Sequence, residues 1–176
     1  MANLLIVRHG EPRLRGVFLG ALDPSLSEVG WQQASQFVVE LAVESEWPIF
    51  ASPLRRAAET ASCLSCLSCP GKPVIWIEEF REIGYGPWEG LTWAEIEERY
   101  PEEARRKSED WFGYTVPGAE SWSDFQVRVQ TGLRRIAVPA IIIAHLGVNS
   151  VLRETITGEP AVTFTQDYCE IVRLTL

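Results

Sequence analysis

Residues 4–8, Leu-Leu-Ile-Val-Arg, are followed directly by His9 and Gly10. A second stretch has the same arrangement, because residues 140–144, Ala-Ile-Ile-Ile-Ala, are followed directly by His145. Short runs that are apolar nearly throughout are typical of strands covered on both faces, as in a parallel sheet between layers of helices. We therefore expect two buried strands, each of which ends at one of the two histidines of the chain.

Three further short runs rich in apolar residues give the same prediction. They are residues 49–51, 74–77 and 171–174. Amphipathic helical patterns lie between the runs, so strands and helices alternate along the chain. The alternation predicts an α/β protein, a three-layer sandwich with a mostly parallel central sheet and helices on both faces. Catalytic groups in such folds gather at the carboxyl ends of the strands, where His9 and His145 both lie.

The predicted helices have start and end signals of their own. Ser27 is a candidate N-cap for a helix from residue 28 to about residue 43. Ser52 is a candidate N-cap for a helix with Pro53 at its first position. The remaining signals are a capping box at Thr92 and Glu95, an inward face of Phe125, Val129, Leu133 and Ile136, and a last helix from about Val148 to Thr157 that ends at Gly158.

Composition and charge narrow the class of protein. The chain has 176 residues, 46% of them apolar, so we expect a single domain over residues 1–176 with its own core. The net charge of -8 argues against binding to nucleic acid or to a membrane surface. The first residues show no pattern of a signal peptide, which favours a cytoplasmic protein. Composition leaves the choice between a monomer and a homodimer open.

The basic residues and the cysteines indicate whether the chain can bind phosphate or a metal ion. Lys72 and Lys107 are the only lysines among 16 basic residues, and the arginines offer a planar fork that suits phosphate. Cys63, Cys66 and Cys69 form a C-x-x-C-x-x-C run that resembles part of a metal site. The run lies at the end of a helical stretch and lacks a nearby fourth ligand, so we expect half-buried helix thiols, no bound metal and no cofactor.

Five segments, in this order along the chain, carry a more specific signal. They are Arg8-His9-Gly10-Glu11, residues 20–34, residues 52–61 with Ser-Pro-Leu-Arg-Arg-Ala, residues 80–90 with Phe-Arg-Glu and Gly-Pro-Trp-Glu-Gly, and residues 117–121 with Pro-Gly-Ala-Glu-Ser. Together they resemble the histidine phosphatase superfamily, the phosphoglycerate-mutase-like enzymes. Small phosphatases such as α-ribazole phosphatase are the nearest likeness, and the resemblance runs from Leu4 to about Gly158.

The resemblance implies a role for several residues. His9 would be the nucleophile that becomes phosphorylated, and Glu82 would be the acid and base. Arg8, Arg56, His145 and the peptide N–H of Leu146 would bind the phosphate; these positive and N–H groups suit its negative charge.

The chain departs from the family pattern in two places. The family often has asparagine where this chain has Arg15, so a cation replaces an amide as a candidate phosphate ligand. The second histidine is usually followed by two glycines, whereas here Leu146 and Gly147 follow His145. A backbone N–H survives this second change, but the leucine side chain needs room beside the phosphate.

The function expected from these observations is metal-independent hydrolysis of a phosphate monoester through a phosphohistidine. The substrate would be a small phosphorylated metabolite, for which α-ribazole 5'-phosphate is one candidate. A phosphoglycerate mutase is an alternative, but it must exclude water, and residues 90–117 are the only candidate lid. Their aromatic residues, Trp93, Tyr100, Trp111, Phe112 and Tyr114, suggest a partly aromatic wall. A regulatory module acting on phosphohistidine proteins is the other alternative.

Overall fold

The computed structural model describes residues 3–41, 44, 46–67 and 71–176. In chain order its elements are β1 (Leu4–Arg8), α1 (Glu28–Glu40), β2 (Ile49–Ala51), α2 (Arg55–Leu67), β3 (Val74–Trp76), α3 (Trp93–Arg99), α4 (Pro101–Glu109), α5 (Trp122–Leu133), β4 (Ala140–Ala144), α6 (Leu146–Thr157) and β5 (Ile171–Leu174). Short 3₁₀ turns occupy Glu78–Phe80, Gly86–Trp88 and Ala161–Thr163.

The five strands form one sheet in the order β3-β2-β4-β1-β5. Every pair is parallel except β1 with β5, which is antiparallel. Alternate residues of the central strands face opposite sides, as the two-residue period of a strand requires. Helices α1 and α2 cover one face and helices α5 and α6 cover the other. The predicted three-layer α/β sandwich with a mostly parallel sheet is confirmed.

The two faces of the sheet each carry an apolar core. Leu5 and Val7 of β1 pack with residues of α1 and α2, while Leu4 and Ile6 pack with residues of α5 and α6. Strands β1 and β4 are central and their apolar side chains are fully buried. The edge strand β3 differs from the prediction, since Ile75 is 43% exposed. A strand at the edge of a sheet has only one neighbour, so both of its faces are incompletely covered.

The boundaries of three helices differ from the sequence-based expectation. Helix α1 ends at Glu40, and the predicted end near residue 43 lies outside the described residues. Helix α2 begins at Arg55, so Ser52 is not its N-cap; the carbonyl of Leu54 accepts the first helical bonds. Helix α6 begins at Leu146, because the carbonyl of His145 accepts a hydrogen bond from the N–H of Asn149.

Other predicted signals are confirmed. Ser27 caps α1 by accepting a hydrogen bond from the N–H of Gly30, and Thr92 and Glu95 form the capping box of α3. Helix α6 ends at Gly158, which has the left-handed conformation that glycine adopts without strain. Strand β3 ends at Trp76, one residue before the predicted end. No helix in the described ranges is long and apolar enough to cross a membrane.

Candidate active site

The register of the two central strands places the two histidines side by side. Arg8, the last residue of β1, is paired with Ala144, the last residue of β4. The N–H of His9 donates to the carbonyl of Ala144 at 3.0 Å, so the ladder extends one residue further. The rings of His9 and His145 are 5.1 Å apart between centroids and are nearly edge to face. The two sequence motifs therefore meet at one point of the sheet.

A cavity of about 360 Å³ opens at this end of the sheet. The side chains that line it include most of the residues singled out in the sequence. They are Arg8, His9, Arg15, Arg56, Glu82 and Leu146. His145 is fully buried, in ring contact with His9. The cavity thus brings residues from β1, α2, α6 and the loop after β3 to one place.

Hydrogen bonding fixes the tautomer of His9. Its Nδ1 lies 2.7 Å from the carbonyl oxygen of Gly10, and because a carbonyl only accepts, Nδ1 carries the proton. Burial, reinforced by the charges of Arg56 and Arg8, holds the pKa of His9 well below its usual range. The ring is therefore neutral, and its Nε2 has a free lone pair. A neutral imidazole with a lone pair is a nucleophile.

Gly10 lets helix α1 approach the end of β1. A Cβ on residue 10 would lie 2.6 Å from the carbonyl oxygen of Gly30, closer than real side chains allow. The N–H of Gly10 donates to Oγ1 of Thr60 on α2 at 3.0 Å. The loop that carries His9 is therefore held by both helices on that face of the sheet.

Arg56 lies in the first turn of α2 and is 1% exposed. Its two terminal nitrogens donate to the carbonyls of Leu22, at 2.6 Å, and Gly20, at 3.1 Å. Neighbouring Arg55 is instead exposed and pairs with Glu59 at 2.7 Å. The structure therefore places Arg56, and not Arg55, at the cavity.

Arg8 is held by the segment that precedes β5. Its Nη1 donates to the carbonyl of Gln166 at 2.7 Å, and its guanidinium lies 4.1 Å from the centre of the Tyr168 ring. Tyr168 is also 5.7 Å from the ring of His9 and lines the cavity. Sequence reasoning missed Tyr168 and Gln166, because no local pattern marks a residue that approaches β1 from the far end of the chain.

Three buried nitrogens beside the cavity lack a partner. Within the part of the chain that the structure describes, Nε of Arg8, Nε of Arg56 and Nδ1 of His145 make no hydrogen bond. Buried polar groups are nearly always paired, so the unpaired nitrogens of Arg8 and Arg56, which line the cavity, point to a ligand with acceptor atoms. A phosphate group, with its several acceptor oxygens, has this chemistry.

The ring of His145 is anchored by Ser52, which the local pattern predicts to be a helix cap. Its Nε2 lies 2.8 Å from Oγ of Ser52, and the same hydroxyl accepts a hydrogen bond from the N–H of Leu54. Burial, together with the nearby positive charge of Arg56, holds the pKa of His145 well below its usual range. The hydroxyl of Ser52 thus gives the buried ring of His145 a polar partner and does not cap the helix.

Glu82 lies at the cavity in the loop after β3. Its carboxylate accepts hydrogen bonds from the N–H of Ile83 at 3.1 Å and of Gly147 at 3.2 Å. Desolvation raises the pKa of Glu82 and outweighs these two N–H groups and the charges of Arg56 and Arg8. A carboxyl whose pKa is raised in this way can carry a proton and deliver it, as an acid catalyst must.

The loop that carries Glu82 is held in place by residues 117–121. Glu120 pairs with Arg128 of α5 at 2.7 Å and accepts a hydrogen bond from the N–H of Gly84. Arg128 also donates to the carbonyl oxygen of Arg81 at 2.9 Å, next to Glu82. The two motifs, distant in sequence, are parts of one support for the carboxyl group.

The two departures from the family pattern have a structural account. Leu146 lies in the first turn of α6, where N–H groups lack helical acceptors, and its side chain packs beside the core. Gly147 faces Glu82, and a Cβ there would collide with the carboxylate. The side chain of Arg15 is 64% exposed and its Nη1 pairs with Glu11 at 2.9 Å. Arg15 thus lies at the rim of the cavity, paired with a carboxylate.

The residues suggested as an aromatic lid are only partly at the site. Trp93 lines the cavity, but Tyr100 and Tyr114 pack against a small core around Trp88, and Phe112 packs against Trp122. Phe18 and Tyr85 line the cavity instead. Neither stands in a helical pattern that could have marked it.

Two cysteines of the C-x-x-C-x-x-C run lie within the described residues. Cys63 is buried and Cys66 is exposed on α2, whereas Cys69 lies outside the described residues. Burial raises the pKa of the Cys63 thiol. In the described ranges, no cluster of three or more histidine, cysteine or acidic side chains has the geometry to hold a metal ion.

The fold and the cavity define a class of protein: an α/β sandwich with a cluster of histidines and arginines at the carboxyl ends of its strands. The sequence matches the profile of the histidine phosphatase superfamily (branch 1) over residues 4–176. The chain belongs to this superfamily.

Two relatives in sequence carry different functional names. A bifunctional protein of Mycobacterium tuberculosis is 35% identical over 152 residues, which are 82% of this chain and 41% of that protein. Phosphoserine phosphatase 1 of Hydrogenobacter thermophilus is 36% identical over 138 residues, which are 77% of this chain and 64% of that protein. The chain thus spans between two fifths and two thirds of these relatives.

The fold is shared with solved phosphatase structures. The α-ribazole phosphatase of Shigella flexneri superposes with a TM-score of 0.84, covering 99% of this chain and 96% of that one, at 24% sequence identity. At this level of identity the similarity establishes a common fold and leaves the substrate open.

Proposed function

We propose that this protein is a metal-independent phosphomonoesterase that works through a phosphohistidine on His9. The observation that carries the proposal is the His9 ring: its Nδ1 proton is bound by the carbonyl of Gly10, so a neutral Nε2 is left beside Arg8 and Arg56. Family membership supports the proposal, as does the presence of phosphatases among the relatives.

In the first step, Nε2 of His9 attacks the phosphorus atom and the bond to the leaving alcohol oxygen breaks. Glu82 gives its proton to that oxygen, so a neutral alcohol departs. Arg8, Arg56, His145 and the N–H of Leu146 stabilise the negative charge on the phosphoryl oxygens. Ser52 can donate its hydroxyl proton to Nε2 of His145, which leaves the Nδ1 proton of that ring for a phosphoryl oxygen.

In the second step, the Glu82 carboxylate takes a proton from a water molecule whose oxygen attacks the phosphorus. The bond between phosphorus and His9 breaks, inorganic phosphate leaves, and both side chains return to their starting forms. The two arginines supply the positive charge and the neutral ring of His145 adds an N–H donor, so no metal enters either step. Arg15 is paired with Glu11 at the rim through Nη1, which leaves its other N–H groups for the leaving group or the phosphate.

The physiological substrate in this proposal is a small phosphorylated metabolite, in keeping with a cavity of about 360 Å³. α-Ribazole 5'-phosphate remains one candidate. Phosphoglycerate mutase activity and dephosphorylation of phosphohistidine proteins are the alternatives that an experiment must separate from hydrolysis of a small ester.

The test is a panel of phosphate esters assayed with and without chelator, on the wild type and on His9→Ala. We expect hydrolysis that persists in excess chelator and vanishes in His9→Ala, with a phosphoenzyme trapped by rapid quench in the wild type. A strict need for a divalent metal, or unchanged turnover in His9→Ala, contradicts the proposal. Dominant transfer between 2- and 3-phosphoglycerate would establish the mutase alternative, and activity confined to phosphohistidine proteins the regulatory one.

The adjacent arginines provide a matched pair of variants. Arg56→Ala removes a buried cation at the cavity, whereas Arg55→Ala removes an exposed one that pairs only at the surface. We expect the first to lower kcat/KM at least about a hundredfold, as loss of a single charge-stabilising donor does. The second should leave kcat/KM within about twofold, because exposed ion pairs contribute little.

A further inference from the structure

The cavity has two chemically different halves. Arg8, His9, Arg56 and Glu82 form the half in which the phosphate would react. The remaining wall is almost entirely apolar or aromatic. Its members are Leu14, Val17, Phe18, Leu19, Tyr85 and Trp93. Because the phosphate occupies the charged half, this apolar wall is left for the leaving group.

Backbone hydrogen bonds join the two loops that carry the apolar wall. The segment around Phe18 is hydrogen-bonded to the loop before α3: the N–H of Phe18 donates to the carbonyl of Leu91 at 3.0 Å, and the N–H of Gly90 donates to the carbonyl of Phe18 at 2.8 Å. Trp93 directly follows the N-cap residue Thr92 and is the first residue of α3. Both aromatic residues are therefore fixed by their own backbones.

The rings pack against one another as well. Phe18 is 4.9 Å from Tyr85 and 6.2 Å from Trp93 between ring centroids. Trp88 is fully buried behind them, 5.9 Å from Phe18 and 6.0 Å from Trp93. Rings held in this way present a preformed apolar surface, and a ligand loses little free energy in ordering it.

Few charges are available to a charged leaving group. Among the described residues that line the cavity, Arg15 is the single charged side chain outside the reacting half. Its Nη1 is paired with Glu11, whose other oxygen accepts a hydrogen bond from Oγ of Ser27. A carboxylate or second phosphate on the leaving group would lose hydration against the aromatic wall, and the charge of the one cation within reach, Arg15, is already partly balanced by Glu11.

We propose that this cavity selects phosphate monoesters whose leaving alcohol is uncharged and carries a flat aromatic or apolar group. It discriminates against esters whose leaving group bears a carboxylate or a second phosphate. The inference rests on the proposed function for the reaction itself, but the selectivity also governs binding alone. It sets this chain apart from the activity named for the phosphoserine phosphatase to which it is similar.

The kinetic test compares esters of primary alcohols, whose leaving groups differ little in intrinsic reactivity. The esters are 2-phenylethyl phosphate, glycerol 3-phosphate, phosphoserine and 3-phosphoglycerate. We expect kcat/KM for 2-phenylethyl phosphate to exceed that for phosphoserine by about tenfold or more, the scale on which an apolar pocket discriminates. Phosphoserine or 3-phosphoglycerate hydrolysed as fast as 2-phenylethyl phosphate would overturn the inference.

A pair of tryptophan variants links the preference to the wall. Trp93→Ala should reduce the preference for 2-phenylethyl phosphate over glycerol 3-phosphate by about fivefold or more, and Trp93→Phe should retain most of it. Trp76→Ala is the matched control, because Trp76 is an exposed tryptophan on edge strand β3 that does not line the cavity. A preference that survives Trp93→Ala unchanged would contradict the assignment of the wall.

A binding measurement separates failure of this inference from failure of the proposed function. Non-hydrolysable phosphonates, 3-phenylpropylphosphonate and 2-amino-4-phosphonobutyrate, are titrated calorimetrically into the wild type and Trp93→Ala. We expect the phenyl compound to bind about tenfold more tightly, and the advantage to shrink in the variant. If no ester is turned over yet this preference holds, the hydrolase proposal fails and the inference stands. Equal binding of the two compounds overturns the inference whatever the turnover.

Discussion

Replacing Glu82 by glutamine removes the one proton that the proposed first step needs at the leaving oxygen. The side chain keeps its size, but the two oxygens accept hydrogen bonds from the N–H groups of Ile83 and Gly147, and an amide can replace only one of these acceptors. The variant should therefore lose about 1–3 kcal/mol of stability, the usual consequence of one unpaired buried group. Chemical denaturation measures this loss separately from the kinetics.

The kinetic effect should depend on the leaving group. For an alkyl phosphate, loss of general acid catalysis should lower the rate of phosphoryl transfer by about 10²- to 10⁴-fold, or about 2.7–5.4 kcal/mol of transition-state stabilisation. An activated aryl phosphate such as 4-nitrophenyl phosphate leaves without a proton, so its first step should be nearly unchanged. Hydrolysis of phosphohistidine should then be slow, because the same carboxylate would activate water.

Rapid quench distinguishes these outcomes, since the variant should accumulate phosphoenzyme on His9 with the aryl ester and not with the alkyl ester. Glu11→Gln is the matched control: this carboxylate lies near the rim and is bound to Ser27 and Arg15. We expect it to change either rate by no more than about threefold, because Glu11 is not among the described residues that line the cavity and its partner Arg15 is exposed. Equal slowing of both esters by Glu82→Gln without trapped phosphoenzyme, or a larger effect of Glu11→Gln, would refute the assignment.

Three further outcomes follow from the same contacts. The pKa of His9 is lowered, so kcat/KM for an alkyl ester, corrected for ionisation of the substrate, should persist into the acid range. The pKa of Glu82 is raised, so kcat/KM should fall as the pH rises through that pKa and the carboxyl loses its proton. A fall at alkaline pH that survives Glu82→Gln would be inconsistent with the acid role. Tyr168→Ala removes the ring that contacts the Arg8 guanidinium and should weaken inhibition by inorganic phosphate or vanadate about 2- to 30-fold. Tyr168→Phe keeps the ring and should match the wild type. Equal losses in both variants would argue against the ring contact. Gly147→Ala adds a methyl group that displaces the Glu82 carboxylate, so kcat/KM for alkyl esters should fall about tenfold or more. Thermal denaturation should show a loss of no more than about 1–3 kcal/mol, because the carboxylate loses the N–H of Gly147 while alanine favours the helix. Unchanged alkyl hydrolysis would show that the carboxylate does not need this position.

Local patterns in the sequence predicted the fold and the placement of the two histidines at the candidate site. Strands β1 and β4 were predictable with their bounds because a run of apolar residues has only a buried strand or a buried helix as its interpretation, and their length favours the strand. Each of the two apolar runs is followed directly by a histidine, and the carboxyl ends of parallel strands lie at the same edge of a sheet. The sequence pattern therefore predicts that His9 and His145 are neighbours.

Tertiary structure alone decided how the groups around the two histidines are held. Ser52 has the local features of a helix cap, yet its hydroxyl binds the ring of His145, 93 positions away in sequence. Glu82 meets the N–H of Gly147 across 65 positions, and Arg8 meets the carbonyl of Gln166 across 158. Strand periodicity and capping preferences depend on neighbours a few residues apart, so they carry no information about contacts that exist only once the sheet has closed. The aromatic wall has the same origin, because Phe18 and Trp93 are brought together by hydrogen bonds between two loops.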